Sequence, residues 1–290
     1  MKLARIPTIV VVGPTASGKT LLSIELAKII GGEIICCDSR TVYKGMKIGT
    51  SAPSKEEQSG IAHHLLEIRD PKHPLSASQF KELCLVEIGK IKSRGKIPIL
   101  VGGSGLYIDS VIFDYSYAPI DKKLRDSLDG KSVSELQEII KIKNLSMPIN
   151  EKNSRHLIST IMNNGREKDK DLIDDCLVLG LKKDKESLYA SIKSRTDRML
   201  EQGLEDEVRQ LEKLYGWNIE PMRTIGYVEF REYFAKKINI SELKDRINKD
   251  TLSYAKRQNT WFKRNKNIHW IDKQSEMVAI ITTYLNKYSI

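Results

Sequence analysis

A glycine-rich run near the N-terminus has the residue types that bind phosphate. Residues 13–20 read GPTASGKT, which fits the spacing G-x-x-x-x-G-K-[ST] of a phosphate-binding loop. Its glycines let backbone N–H groups turn toward a phosphate, and the following helix adds the positive end of its dipole. Lys19 supplies a cation, and the Thr20 hydroxyl can ligate Mg²⁺. We predict that a di- or triphosphate is bound by the whole run, namely Gly13, Pro14, Thr15, Ala16, Ser17, Gly18, Lys19 and Thr20.

An aspartate and a second glycine run each follow an apolar segment. Asp38 comes directly after EIICC (residues 33–37), and GGSGLY occupies residues 102–107. Asp38 could ligate Mg²⁺, cap a helix or act as a base, and the residue alone leaves these three roles open. The glycines indicate close approach of the backbone to a ligand, to which Ser104 could donate a hydrogen bond. A small-molecule kinase would more usually have an aspartate there, so the pattern disfavours that class.

Two further stretches place basic residues next to a break in helix-forming sequence or next to aromatic rings. Arg223, in PMRTIGY (residues 221–227), could clamp a departing diphosphate or form a surface ion pair. In AKRQNTWFKR (residues 255–264), basic pairs flank Trp261 and Phe262. This alternation suits stacking on unpaired bases with contacts to phosphates. The rings could equally form the buried face of a helix, and we favour burial for Phe262.

The histidines and cysteines do not suggest a metal site. His63 and His64 lack i, i+4 spacing with other ligands, so we predict a structural role for them. No C-x-x-C spacing occurs, and we predict buried thiols at all four cysteines, Cys36, Cys37, Cys84 and Cys176.

The elements that must position these residues alternate between strands and helices. Apolar, β-branched runs are separated by helix-patterned sequence such as LLSIELAKII. We predict strands at 9–12, 33–37, 64–68, 97–101, 176–181 and 268–271, and helices that include 78–93 and the basic segment 241–264. This order indicates an α/β fold with a P-loop NTPase-like core, in which helices flank a parallel sheet and ligands bind at the carboxyl ends of strands.

The middle of the chain has a different character. From 114 to 171 the sequence is polar, lysine-rich and helix-patterned. We predict a small helical insertion there, between two parts of the catalytic core at 1–113 and 172–290.

The net charge favours a phosphate-rich partner. Lys and Arg number 48 against 38 Asp and Glu, for a formal charge of +10. RNA binding through counterion release would explain this excess, and a lysine-rich proteome is an equally open explanation. No apolar stretch approaches the roughly 20 residues of a membrane helix. The apolar N-terminal run leads directly into the phosphate-binding loop, so we expect a cytoplasmic protein without membrane association.

Taken in order, the motifs resemble those of the tRNA dimethylallyltransferases. The family's order and approximate spacing are kept by GPTASGKT, DSRTVYKGMKIGT, AHHLLEIRDP, SASQF, PILVGGSGLYIDS, DRMLEQGLEDEV, MRTIGY and AKRQNTWFKR. The resemblance implies a helical insertion that grips the anticodon stem-loop of tRNA. It also implies transfer of a dimethylallyl group from its diphosphate to N6 of the adenine 3′ of the anticodon. We expect a monomer.

The resemblance further implies roles for single residues. The loop would hold dimethylallyl diphosphate rather than ATP, with Mg²⁺ at Thr20. Asp38 would accept an N6 proton, while Lys19 and Arg223 would stabilise charge on the leaving diphosphate. Ser104 would contact the target nucleotide. We expect tRNA contacts from Asp38, Ser39, Arg40, Thr41, Ser104, Arg125, Arg155, His156, Lys256, Arg257 and Gln258.

Two departures from the family pattern leave alternatives open. The family's D-S-x-Q is DSRT at 38–41, and a segment similar to Q-R-x-x-R-A-L-E is reduced to RHLISTIM at 155–162. Altered tRNA contacts or a catalytically silent RNA-binding paralogue would fit these changes, although the retained core residues disfavour silence. An adenylate isopentenyltransferase acting on free AMP or ATP is another alternative. The basic insertion and the basic C-terminal helix favour tRNA.

Overall fold

A parallel sheet lies at the centre of the computed structural model, which describes residues 6–115, 117, 121–148, 150–164, 171–272 and 274–288. Within these residues the sheet has six strands in the order β3-β2-β4-β1-β5-β6, and every pairing is parallel. The strands are β1 (Thr8–Val12), β2 (Gly32–Cys36), β3 (His63–His64), β4 (Ile97–Gly102), β5 (Cys176–Leu181) and β6 (Ile268–Ile271). The inner strands are buried and mostly apolar because helices cover the sheet, with Glu33 of β2 and Thr8 of β1 as polar exceptions.

Eleven α-helices lie in the described residues. They are α1 (Lys19–Ile30), α2 (Ala77–Ser93), α3 (Gly105–Ile112), α4 (Lys122–Leu128), α5 (Val133–Ile142), α6 (Ser154–Met162), α7 (Lys185–Glu201), α8 (Leu204–Tyr215), α9 (Phe230–Phe234), α10 (Ile240–Phe262) and α11 (Gln274–Leu285). Short 3₁₀ helices span Glu220–Arg223 and Asn286–Tyr288. No helix of the described residues combines the length and apolar content needed to cross a bilayer.

The predicted α/β class is confirmed, and one predicted strand is wrong. The strand expected at 64–68 is limited to His63–His64. The backbone turns immediately afterwards, since Leu65 and Glu67 have φ angles of +59° and +52°. Such left-handed residues cannot continue a strand. The apolar pattern of LLEI therefore reflects partial burial in a turn.

The sheet brings three loops to one edge. Val12 at the end of β1 is in register with Gly102 of β4, and Cys36 of β2 is in register with Val101. The carboxyl ends of these strands lead directly into the phosphate-binding loop, the Asp38 turn and the second glycine run. Parallel strands thus place the predicted chemistry together, at the position where α/β sheets bind ligands.

The inserted segment forms a compact unit of its own. The chain divides into Met1–Ile112 with Leu172–Ile290, and Phe113–Asp171, which places Phe113 in the insertion rather than in the core. Helices α4, α5 and α6 begin at side-chain caps from Asp121, Ser132 and Asn153. They enclose a separate apolar cluster of Leu128, Leu136, Ile140, Leu157, Ile158 and Ile161.

Candidate active site

The loop between β1 and α1 has the backbone shape of a phosphate cradle. Gly18, the residue before α1, has φ +93° and offers no side-chain cap. The first N–H groups of α1 are therefore left for a ligand, at the positive end of the helix dipole. Ser17 Oγ is buried and has no hydrogen-bond partner within the described residues. A buried hydroxyl without a partner is costly, and an anion in the loop would satisfy it.

Lys19 folds back over this loop. Its Nζ donates to the Pro14 carbonyl at 2.6 Å. Burial lowers the pKa of Lys19 to about 7; Asp38 raises it and Arg195 lowers it further. A diphosphate between these groups would favour the charged amine.

Arg195, on α7, is a cation of the site that the sequence analysis missed. Its Nη1 donates to Thr15 Oγ1 at 2.7 Å, and its Nη2 to the Thr50 carbonyl at 3.4 Å. Burial lowers the pKa of the guanidinium, which Asp38 opposes. Lys183 was also missed, and its Nζ donates to the Ala16 carbonyl at 3.2 Å. Neither residue lies in a recognisable local pattern, so the contact across the fold was needed to find them.

The Asp38 turn and the second glycine run form one hydrogen-bonded structure. Asp38 Oδ1 accepts from the Arg40 N–H at 2.8 Å, which fixes the turn and leaves Oδ2 for other partners. The Ser39 N–H donates to Ser104 Oγ at 2.8 Å. A side chain at Gly102 would collide with the backbone of Cys37. The predicted proximity of Asp38 and Ser104 is therefore present in the structure.

Helix α10 supplies the opposite wall through residues that lie on one face. Gln258 is 5% exposed, and its amide contacts the two glycine loops. Burial raises the pKa of Tyr254 to about 12, and Asp38 raises it further. Trp261 Nε1 donates to Asp109 Oδ2 at 2.7 Å. Much of AKRQNTWFKR thus builds the protein interior, including Phe262, whose predicted burial is confirmed at 1% exposure.

Two of the residues predicted to contact tRNA are buried. Gln258 has both ends of its amide occupied inside the protein. Thr41 is 8% exposed, and its hydroxyl is enclosed without a partner in the described part of the chain. A contact with tRNA from either side chain stays a prediction.

Arg223 lies on a 3₁₀ helix linked to the Asp38 turn. Arg40 Nη1 bonds both carboxylate oxygens of Glu220 at 2.8 Å, which joins the two segments. Arg223 itself is exposed, and its guanidinium forms no ion pair within the residues described. Its charge is therefore available to a ligand, although the structure shows no contact between Arg223 and the phosphate-binding loop.

Five other predicted RNA contacts lie on surfaces. Lys256 and Arg257 are exposed on α10. In the inserted unit, Arg155 and His156 are exposed on α6, and Arg125 pairs with Asp129 at 3.2 Å. Their roles toward tRNA stay predictions.

The cysteines are buried, as predicted, and His64 contacts two carboxylates. His64 Nε2 lies 2.7 Å from Glu33 and its Nδ1 3.2 Å from Glu87. All four cysteines are free and buried. No cluster of three or more His, Cys, Asp or Glu in the described residues could hold a metal ion.

The parallel sheet, its flanking helices and the glycine-rich loop after β1 define an α/β protein with a P-loop-like core. Comparison with known proteins identifies the family. Residues 41–265 match the model of the IPP transferase family, and the chain belongs to this family. The resemblance predicted from the motifs is confirmed.

The relatives match over nearly the whole chain. A tRNA dimethylallyltransferase of Anoxybacillus flavithermus is 39% identical over 93% of this chain and 91% of its own length. One from Staphylococcus carnosus is 39% identical over 94% and 93%. The crystal structure of a Bacillus halodurans tRNA isopentenylpyrophosphate transferase has a TM-score of 0.77 at 32% identity, covering 98% of both chains. A eukaryotic dimethylallyltransferase acting on tRNA has a TM-score of 0.79 at 26% identity, covering 92% of this chain and 74% of that one.

Proposed function

We propose that this protein transfers a dimethylallyl group from dimethylallyl diphosphate to N6 of the adenine 3′ of the anticodon in tRNA, with release of diphosphate. One observation supports this most directly: Lys19 and Arg195 contact the loop at the start of α1, which no side chain caps in the described residues, and Asp38 follows β2 at the same edge of the sheet. A cationic phosphate site next to a carboxylate suits a reaction that expels diphosphate and removes a proton. The relatives named as tRNA dimethylallyltransferases favour the same reaction.

The diphosphate would occupy the loop at the start of α1. The free N–H groups there and the Ser17 hydroxyl would donate to its oxygens. Lys19 would exchange the Pro14 carbonyl for the diphosphate, because an anion is a stronger acceptor than a carbonyl. Arg195 is fixed nearby by Thr15, and Arg223 would add charge from outside. These cations would stabilise the negative charge that grows as the C–O bond breaks.

Magnesium fits the oxygen donors of this loop. Mg²⁺ binds proteins through one or two oxygens and takes its other ligands from phosphates and water. The exposed Thr20 hydroxyl at the start of α1 suits such a site, which needs no cluster of carboxylates. When bound, the ion would neutralise charge on the diphosphate.

Asp38 would act as the base in the transfer. The N6 lone pair forms a bond to the allylic carbon, and the bond from that carbon to the diphosphate oxygen breaks. The N6 proton passes to the Asp38 carboxylate, and the bonding pair leaves with the diphosphate. The Arg40 N–H holds Asp38 Oδ1, so its other oxygen would accept the proton. The Ser104 hydroxyl, held by Ser39, would orient the target nucleotide.

The tRNA would be held by the exposed cations. The adenine is stacked in the anticodon loop, so it must be flipped out to reach the loops at the sheet edge. Lys256 and Arg257 on α10, with Arg125, Arg155 and His156 of the insertion, would contact the backbone of the stem-loop. We also propose that a monomer carries out the reaction.

A parallel transfer assay tests the proposal. Dimethylallyl diphosphate labelled in the prenyl group is supplied with Mg²⁺ to unmodified tRNA and, separately, to AMP. Label on tRNA, lost when the adenine 3′ of the anticodon is replaced, is the expected result. Label on AMP alone would assign the protein to the free-nucleotide class. Label on neither acceptor would contradict the transferase proposal.

A further inference from the structure

Helix α10 presents different residues to the protein interior and to solvent. Tyr254, Gln258 and Trp261 follow one another at intervals of four and three residues, which places them on one face of the helix. Lys256 and Arg257 lie between them in sequence but are exposed. Arg257 therefore lies on a basic surface, whereas the next residue, Gln258, lies at the edge of the phosphate site.

Gln258 joins the two glycine loops through opposite ends of one amide. Its Oε1 accepts from the Thr15 N–H at 2.8 Å, and its Nε2 donates to the Gly103 carbonyl at 2.9 Å. Both contacts are long-range in sequence, at 243 and 155 residues. The side chain is 5% exposed, so water cannot easily replace these bonds.

The Gln258 amide leaves no room for a side chain at Gly103. A Cβ atom at Gly103 would collide with Gln258 Nε2 and would lie 3.6 Å from the Gly13 carbonyl oxygen. Gly103 does not have a positive φ, so its lack of a side chain serves this close approach and not a special backbone conformation.

The Thr15 N–H is engaged by Gln258 and its hydroxyl by Arg195, so Thr15 is held from outside the loop. The phosphate is left to the N–H groups further along, at the start of α1. The orientation of those groups depends on where the first half of the loop is anchored.

We propose that Gln258 is a positioning residue for the diphosphate site: it fixes the phosphate-binding loop to the second glycine run, so that the N–H groups at the start of α1 point at the ligand. The inference rests on the proposed function, since it assumes that this loop binds the diphosphate. It differs from the tRNA contact that the sequence predicted for Gln258, because it assigns the residue an effect on the diphosphate and not on the RNA.

Binding of the two substrates, measured separately, tests the assignment. Magnesium pyrophosphate and unmodified tRNA are each titrated into wild type, Gln258→Met and Gln258→Glu. Met has a similar length but makes neither hydrogen bond, whereas Glu keeps an acceptor for Thr15 and loses the donor to Gly103. We expect the Kd for pyrophosphate to rise at least about 10-fold in the Met variant, with that for tRNA changing less than about twofold. Ser253→Ala, elsewhere on α10, is the matched control and should change neither.

Gly103→Ala provides a second variant that leaves Gln258 in place. The added methyl group should displace the amide and weaken pyrophosphate binding as Gln258→Met does. Removing the long side chain relieves the collision, so Gly103→Ala combined with Gln258→Ala should bind no more weakly than Gln258→Ala alone. Additive losses would show that Gly103 acts independently and would overturn the proposal.

Loss of tRNA affinity with unchanged pyrophosphate affinity would also overturn it and restore an RNA contact. A wild type that binds tRNA but not pyrophosphate would instead refute the proposed diphosphate site.

Discussion

The Tyr227 hydroxyl donates to Glu207 Oε1 at 2.8 Å beneath the loop that follows Asp38. The same carboxylate accepts the backbone N–H groups of residues 47–49 at 2.8 to 3.0 Å. The Tyr227 ring lies so close to Gly49 that no side chain fits at that glycine. One carboxylate and one ring thus hold a segment that has no regular structure, and the Thr50 carbonyl beside it meets Arg195.

Glu207→Gln should loosen this loop. The NH₂ group of Gln would replace a carboxylate oxygen and would face backbone N–H groups, which need an acceptor. We therefore expect the free energy of unfolding to decrease by about 1–3 kcal/mol. Amide hydrogen exchange at residues 47–49 should become faster. Glu205→Gln on the same turn of α8 is the control, because Glu205 pairs with Arg209 at the surface. Equal effects of the two substitutions would contradict the role given to Glu207.

Asp38→Asn should slow the chemical step while preserving tRNA binding. Asn keeps an oxygen for the Arg40 N–H but cannot accept the N6 proton at neutral pH. The single-turnover rate should fall by about 100-fold or more, with the Kd for tRNA within about twofold of wild type. A comparable loss of tRNA affinity would instead make Asp38 a recognition residue.

Diphosphate binding should take up a proton at alkaline pH. Lys19 has a pKa of about 7 in the free protein, because burial disfavours its charge. The bound anion raises that pKa, so affinity should decrease as the pH rises above 7 and each binding event at pH 8 should consume protons. Calorimetry of pyrophosphate binding in buffers of different ionisation enthalpy measures this uptake. Lys19→Arg, whose side chain stays protonated, should abolish it. Uptake that persists in this variant would point to another group.

Neutralising Lys256 or Arg257 should reduce the salt dependence of tRNA binding. Each phosphate contact contributes to the slope of log K against log salt, so Lys256→Gln and Arg257→Gln should each flatten it by roughly one. Lys28→Gln carries the same charge change at the far end of α1 and should leave the slope unaltered. Identical slopes in all three variants would place this face of α10 away from the RNA.

Glu33 should make the fold sensitive to acid. Its buried carboxylate contacts Arg94 at 2.6 Å, His64 at 2.7 Å and Lys96 at 2.9 Å. Burial opposes the charge, but these partners outweigh burial and lower the pKa from 4.5 to about 2. The stabilisation is complete above pH 4.5 and is lost as the pH falls toward 2. Glu33→Gln should lower the free energy of unfolding by on the order of 2 kcal/mol at pH 7 and by little at pH 2.

Urea unfolding at several pH values checks this expectation. Glu186→Gln, at an exposed position on α7, is the control and should give nearly equal differences at each pH. A Glu33→Gln effect that is the same at pH 7 and pH 2 would rule out the charge of Glu33 as its cause.

The parts of the site that could be predicted from sequence are those formed by residues that are contiguous in the chain. GPTASGKT carries its own loop geometry, and parallel strands bring Asp38 and the second glycine run to it. Arg195 contacts Thr15 across 180 residues and Lys183 contacts Ala16 across 167. Those contacts depend on how α7 packs, which no local pattern encodes.

The basic and aromatic segment of α10 shows a second reason why the sequence alone could not predict the whole site. Trp261 and Gln258 are as suitable for an RNA surface as for a polar interior, and only the facing glycines decide between them. The turn after His64 could not be predicted either, because the sequence LLEI is also compatible with a strand. Only the positive φ angles of Leu65 and Glu67 show that the chain turns there.

The two core segments that flank the inserted unit are hydrogen-bonded to each other. The Ile173 N–H donates to the Ile112 carbonyl at 2.8 Å, so the residues that leave and re-enter the core are already neighbours. The insertion also encloses its own apolar cluster. The insertion therefore has an apolar core of its own, built only from its own helices. Within the segment at 155–162, Leu157, Ile158 and Ile161 belong to this cluster, whereas Arg155 and His156 are exposed and can be replaced without disturbing it.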